Sequence, residues 1–179
     1  MIWFTSDQHF YHKNIIKICR NRFDTIEDMH KEIIYKFNSK VKKDDIVYFL
    51  GDFSFGSVTK TKEILEQLNG RKNLILGNHD SKKMYKNAEI KSYFELITDY
   101  YELKINGQMY ILCHYPFESW RNKSYGAIHL YGHVHDNDKL LNSINGRYHI
   151  GVDTNNFYPI SIEEVNGLVP KINDKEIII

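Results

Sequence analysis

Short apolar runs recur along this chain, and each stops at a polar residue or a glycine. Met1–Thr5 is the first, Asp45–Leu50 (D-I-V-Y-F-L) the second, Asn73–Leu76 (N-L-I-L) the third and Met109–Cys113 (M-Y-I-L-C) the fourth. Ile128–Tyr131 (I-H-L-Y) and the weaker Tyr148–Val152 (Y-H-I-G-V) complete the series. Runs this short, ended this way, read as buried strands. Between the early ones the spacing turns helical. Ile26, Met29, Ile33, Ile34 and Phe37 fall on one face of a helix over Thr25–Lys40, with Thr25 as its N-cap and Asp28 three residues on. Val58, Ile64, Leu65 and Leu68 repeat the pattern over Ser57–Leu68, and Asn69–Gly70 stops it. Asn14–Cys19 is a short apolar turn or helix.

The second half reads differently. Tyr93–Leu103 and Met109–Cys113 flank Asn106–Gly107, a hairpin dipeptide between strand-like runs. Asn145–Gly146 is another and leads into Arg147–Val152. Ser161–Val165 predicts a short helix capped by Ser161 with Glu164 three on, and Lys175–Ile179 a last strand. A βαβα start followed by an antiparallel-leaning, β-rich part predicts an α/β fold with helices packed outside two central sheets.

Composition narrows the class. The 179 residues, 42% hydrophobic and 26% charged, suit a single domain over 1–179 and exclude a disordered or collagen-like chain. Net charge is +1 with histidine neutral, so no basic field marks nucleic acid as the favoured partner. No run of 18 apolar residues offers a membrane span. Asp7 and His9 interrupt the N-terminal run too early for a signal peptide. Cys19 and Cys113 cannot make a disulfide framework, which points to a cytoplasmic protein. Nine histidines are many for this length, and several sit in tight pairs.

The chemistry lies just after the apolar runs. Asp7-Gln8-His9 follows the first, Gly51-Asp52 the second and Gly77-Asn78-His79-Asp80 the third. His114 follows the fourth, and Gly132-His133-Val134-His135 the fifth. Ligand sites in α/β sheets gather outside the carboxyl ends of strands, so neighbouring strands would bring these groups to one point. Gly51, Gly77 and Gly132 each precede a candidate ligand and permit a sharp turn there. Two aspartates, one asparagine and four histidines exceed what one four-coordinate ion takes. They suit two ions about 3.5–4 Å apart that share a bridging carboxylate. A mixed nitrogen and oxygen set without thiolate favours Mn, Fe, Zn, Ni or Co over Mg or Ca. Cys113 abuts His114, but strand alternation turns it to the opposite face.

D-x-H, G-D, G-N-H-D, a lone H and G-H-x-H, in this order from Met1 to about Val152, resemble the calcineurin-like metallophosphoesterases. The H-F-Y-H-K-N-I-I and G-V-D-T-N-N-F-Y-P stretches resemble a small bacterial and phage branch of that family. The resemblance implies a four-layer α/β sandwich of two mixed sheets flanked by helices. It also implies a dinuclear centre of two divalent transition-metal ions, manganese foremost. By that resemblance Asp7, His9 and His135 hold one ion, Asp52 bridges, and Asn78, His114 and His133 hold the other. His79 matches the histidine that stabilises the transition state or protonates the leaving oxygen, and Asp80 matches the carboxylate that orients it.

These residue types fit phosphoester hydrolysis. Two cations neutralise the phosphate and generate a bridging hydroxide near neutral pH, which attacks phosphorus in line. Ligating histidines must be neutral, so activity falls below about pH 6. The favoured substrate is a small phosphate ester, mono- or diester, nucleotide-like among them. One alternative is a nuclease acting on DNA or RNA ends, with Lys40, Lys42 and Lys43 and Lys82, Lys83 and Lys86 as local basic clusters. The other is a metal-stabilised, non-catalytic scaffold, against which the presence of His79 counts. Asn14, Arg22 and Arg121 are candidate substrate contacts, Arg22 above all because its fork matches phosphate oxygens. His12 continues the first ligand loop and is a candidate supporting residue, whereas His30, His129 and His149 read as packing histidines. Tyr115, Phe117 and Trp120 could stack on a base or form a hydrophobic cluster, and Asp153 could shape the rim or form a turn. The oligomeric state stays open.

Overall fold

All six apolar runs become strands. A computed structural model describes residues 1–135 and 145–168. The strands are β1 (Ile2–Thr5), β2 (Ile46–Phe49), β3 (Arg71–Ile75), β4 (Phe94–Thr98), β5 (Tyr101–Ile105), β6 (Gln108–Leu112), β7 (Ile128–Tyr131), β8 (Arg147–His149) and β9 (Ile160–Ser161). The helices are α1 (Ile15–Ile18), α2 (Ile26–Lys40), α3 (Val58–Gln67), α4 (Lys82–Tyr85), α5 (Ala88–Lys91) and α6 (Ile162–Leu168). One sheet has the order β4-β3-β2-β1-β9 and the other β5-β6-β7-β8. Both are mixed. In the first, β1 to β4 run parallel and β9 joins antiparallel. In the second, β5 and β6 are antiparallel, and β6, β7 and β8 run parallel.

Alternation along β2 explains the layers. Val47 and Phe49 point to α2 and α3, where Ile33, Phe37, Ile64 and Leu65 close the larger core. Tyr48 and Leu50 point the other way, against Tyr110, Leu112, Ile128 and Leu130 of the second sheet. The outer face of that sheet is covered, among the described residues, by a loop with a 3-10 turn at Lys123–Tyr125, which packs Trp120 on Ile111 and Ala127.

The caps behave as the residues dictate. Thr25 accepts the Asp28 N–H, Ser57 the Lys60 N–H, and Ser161 and Glu164 bond reciprocally. Asn106 and Gly107 take φ of 49° and 85°, the left-handed pair that a tight hairpin needs, and join β5 to β6.

Three expectations change. Tyr93–Leu103 is not one strand: it breaks at Asp99–Tyr100, with β4 in the first sheet and β5 in the second. Asn145–Gly146 opens β8, but β8 runs parallel to β7, so the turn closes no hairpin between them. The second half is therefore less antiparallel than its turn signals suggest. Lys175–Ile179 lies outside the described residues.

Candidate metal centre

The loops that leave β1 and β2 run side by side. Asp7 N–H bonds to the Gly51 carbonyl and His9 N–H to the Asp52 carbonyl, each at 3.0 Å. Parallel neighbours β1, β2 and β3 thus deliver Asp7, Asp52 and Asn78 at one edge, and β6 and β7 deliver His114, His133 and His135 from the facing sheet. The loops turn sharply. Asp7, His9, Asp52, His133 and His135 all have φ between 52° and 75°, a region that costs a non-glycine residue about 1–3 kcal/mol. Such strain persists where surrounding bonds fix it. Two glycines make the approach possible: Gly51 has φ of 88°, and a Cβ at Gly132 would lie 2.5 Å from Asp7 Oδ2.

The expected ligands converge. Asp7, His9 and His135 each place a ligand atom within 4.8 Å of the others, and so do Asp7, Asp52 and His114. Asp52 Oδ2 stands 3.6 Å from His9 Nε2 and 3.5 Å from His114 Nε2. Asn78 Oδ1 stands 2.9 Å from both His114 Nε2 and His133 Nδ1. Asp7 is held by the Ser6 hydroxyl at 2.5 Å and by the His133 N–H at 3.0 Å.

The donor set fits cations. His114 Nδ1 faces the Leu50 carbonyl at 2.8 Å, and a carbonyl only accepts, so that nitrogen carries the hydrogen. Without a cation, burial alone would lower the His114 pKa, but hydrogen bonding to Asp52 and the charges of Asp7 and Asp52 outweigh it and raise it, so Nε2 faces Asn78 and Asp52 as a donor. A bound cation would displace that proton and take the Nε2 lone pair of the neutral ring. His9 Nε2 is buried without a hydrogen-bond partner among the described residues. Burial, reinforced by the Arg20 charge, lowers the His9 pKa to about 2, so the ring is neutral and its nitrogen could ligate. Burial alone would raise Asp52, but hydrogen bonding and charge from His114 outweigh it and hold the carboxyl at about 2. Burial raises Asp7 in the absence of a cation. The carboxylate, amide-oxygen and imidazole groups form a borderline set suited to first-row divalent ions, and the Cys19 sulfur stands 3.9 Å from His135 Nδ1.

His79 donates its backbone N–H to Asp52 Oδ1 at 2.9 Å, and its exposed ring lies 5.8 Å from that of His9. Asp80 has other partners than expected. Its carboxylate is filled by the backbone N–H groups of Asp52, Phe53 and Gly77 at 2.8, 3.0 and 2.9 Å, and no carboxylate touches the His79 ring among the described residues. Arg22 pairs with Glu32 at 3.1 Å and lies over the Phe23 and Phe157 rings, so its guanidinium is engaged away from the ligands. Asn14 is exposed at the start of α1 and makes no side-chain cap bond. Neither bonds to an expected ligand among the described residues.

Other residues join the site. His12 Nδ1 meets His9 Nδ1 at 3.0 Å, and Phe55 stacks on the His12 ring at 4.1 Å. The H-x-x-H spacing carried a signal for His12; nothing marked Phe55. Tyr115 lies 4.8 Å from the His133 ring, whereas Phe117 stacks on His129 and Trp120 is buried with its indole N–H on the Ala127 carbonyl. Of those three aromatics only Tyr115 borders the ligands. His30 and His129 are packing histidines, each accepting a backbone N–H.

Two mixed sheets with a cluster that could hold cations at their carboxyl edge make this an α/β protein with a candidate metal centre. The chain belongs to the calcineurin-like phosphoesterase family, whose model matches residues 1–164. It is 34% identical over 176 residues to an uncharacterised protein of Methanocaldococcus jannaschii, covering 95% of this chain and 92% of that one. It is 32% identical over 203 residues to the gene 66 protein of Mycobacterium phage L5, covering 97% and 96%. A protein of unknown function from Aquifex aeolicus has a similar solved structure, with a TM-score of 0.75 and 30% identity over 94% of this chain and 99% of that one. The chain is thus a metal-dependent phosphoesterase. Among the described residues no helix is long and apolar enough to cross a membrane.

Proposed function

We propose that residues 1–179 act as one domain that hydrolyses a small phosphate ester, with diesters and nucleotide-like esters favoured, at a centre for two divalent ions. One observation carries this reading: Asp52 Oδ2 sits between His9 Nε2 and His114 Nε2, at 3.6 and 3.5 Å, where a carboxylate would bridge two cations. The ions would be held by Asp7, His9 and His135 on one side and by Asn78, His114 and His133 on the other. When bound, they supply Lewis acidity and a water of lowered pKa. Manganese is the first choice, with Fe, Zn, Ni and Co as alternatives. The two free cysteines, Cys19 and Cys113, suit a reducing cytoplasm.

The chain's own groups do the rest. Asn78 would ligate through a neutral amide, which would keep the centre positive enough for phosphate. His79, exposed beside the ligands, would protonate the departing oxygen. A cleft of about 460 Å³ opens beyond it, with Phe55 and Met84 as apolar walls and Lys83 at its edge. That cleft has the character to hold the organic part of the ester. The near-neutral net charge of +1 is what disfavours a polynucleotide substrate. The test is a side-by-side panel of mono-, di- and cyclic phosphates with Mn²⁺ on the metal-reconstituted chain. Turnover of bis(p-nitrophenyl) phosphate is expected, and no hydrolysis of any ester with two ions bound would refute the reading.

A further inference from the structure

Arg20 is the bulkiest of the fully buried side chains among the described residues, 1% exposed, and the sequence marked it in no way. A buried guanidinium must have all its donors met. Nε and Nη2 form a fork on Asp153, at 2.7 Å to Oδ1 and 2.9 Å to Oδ2. Nη1 donates to the Gln8 carbonyl at 2.8 Å, and Nη2 also donates to the Asp7 carbonyl. Asp153 Oδ2 accepts a second bond, from His135 Nδ1 at 2.6 Å.

The consequence is topological. Gln8 lies between Asp7 and His9, whose φ angles of 61° and 52° need outside support. Arg20 grips the two carbonyls of that turn. Through Asp153 it also sets His135: with Nδ1–H spent on the carboxylate, Nε2 is the nitrogen left to ligate. Asp7, His9 and His135 therefore depend on one ion pair. The other set has supports of its own: His114 is oriented by the Leu50 carbonyl and Asn78 lies in the β3 loop that Asp80 ties down, so only the His133 backbone reaches the ion pair, indirectly, through Asp7. We propose that Arg20 and Asp153 are positioning residues foremost for one cation, the one held by Asp7, His9 and His135, and so set the order in which the two sites fill. This rests on the two-ion reading given above.

The test titrates the chelator-stripped chain with Mn²⁺, followed by calorimetry and by electron paramagnetic resonance. Wild type, Asp153→Asn and Arg20→Lys are compared, the last keeping the charge but losing the fork. Wild type should take up two ions and develop the spectrum of a coupled manganese pair. In each variant one ion should bind about 10–100-fold more weakly, the range for partners of metal ligands. The other should weaken far less, and an isolated Mn²⁺ signal should persist at concentrations that pair the wild type. Equal weakening of both sites would mean a merely structural role and would overturn the proposal, as would two unchanged affinities. A wild type that takes a single ion defeats the two-ion reading itself, and the clamp with it. Should both variants fail to fold, nitrogen NMR of the Zn²⁺-loaded wild type decides instead. His135 must carry its proton on Nδ1; a proton on Nε2 overturns the proposal.

Discussion

Asp80 accepts the backbone N–H of Asp52 at 2.8 Å, across 28 residues of sequence, and ties the β2 loop to the β3 loop. With the N–H groups of Phe53 and Gly77 on the same carboxylate, Asp80 shapes the backbone from which Asp52 reaches the centre. Asp80→Asn should therefore cost stability first. Its amide NH₂ would face at least one of three buried donors, at about 1–3 kcal/mol for each left unpaired. Denaturant unfolding of the metal-free protein checks this. An unchanged midpoint, with only the pH profile of turnover altered, would return Asp80 to orienting His79.

Asp52→Asn keeps the shape of the bridge and removes its charge. Bound manganese should fall from two ions to one, and turnover of an aryl phosphodiester should drop by more than about 100-fold, beyond the effect typical of a ligand's outer partner. Metal analysis and steady-state rates on one sample measure both. Wild-type turnover with two ions retained would remove Asp52 from the bridge.

The convergence of the candidate ligands was legible in the sequence because each follows a strand, and parallel neighbours β1, β2 and β3 place such positions at one edge. The helices α2 and α3 were legible for a related reason: 15 and 10 residues suffice to display an apolar face. The four-residue α4 and α5 are too short to show a period. Strand direction was not legible at β8, since a turn dipeptide fixes a local bend and not the partner 18 residues back, as in His129 with Arg147. The arginine that organises half the site was hidden for a physical reason. Burial of Arg20 depends on Asp153, 133 residues away, and local pattern carries no trace of such a pair.

His79→Ala separates leaving groups. Removing a general acid costs typically 10²–10⁴-fold, and most where the departing oxygen is basic. Alkyl esters should slow by about 100-fold or more and p-nitrophenyl esters by much less. A matched set of esters measures the slope of rate against leaving-group pKa, which should steepen in the variant. Equal slowing across the set would remove the acid role.

Phe55→Ala addresses the cleft. The ring is 38% exposed, so its loss should change stability little, but an aryl group would lose its stacking wall. KM for bis(p-nitrophenyl) phosphate should rise severalfold with kcat less affected. Methyl p-nitrophenyl phosphate shows which group the cleft holds. An equal rise places the leaving group there, and a rise for the bis-aryl ester alone places the retained group there. No change for either ester would leave the cleft outside substrate binding.

The packing histidines set the acid limit of the fold. Burial lowers both His30 and His129 from 6.5 to about 4. Each neutral ring accepts a backbone N–H, from Tyr11 at 2.8 Å and Phe117 at 3.1 Å, and protonation would turn that acceptor into a donor. The unfolded chain binds these protons more tightly, so the stabilisation is fully present above about pH 6.5 and drains away as pH falls toward 4. At 1.36 kcal/mol per unit the loss is at most about 3 kcal/mol for each ring. Denaturant unfolding of the chelated protein between pH 7 and 4 should show it. His129→Gln, which keeps an acceptor and cannot titrate, should flatten the curve by about that amount; an unaltered pH slope would mean that His129 titrates normally in the folded chain.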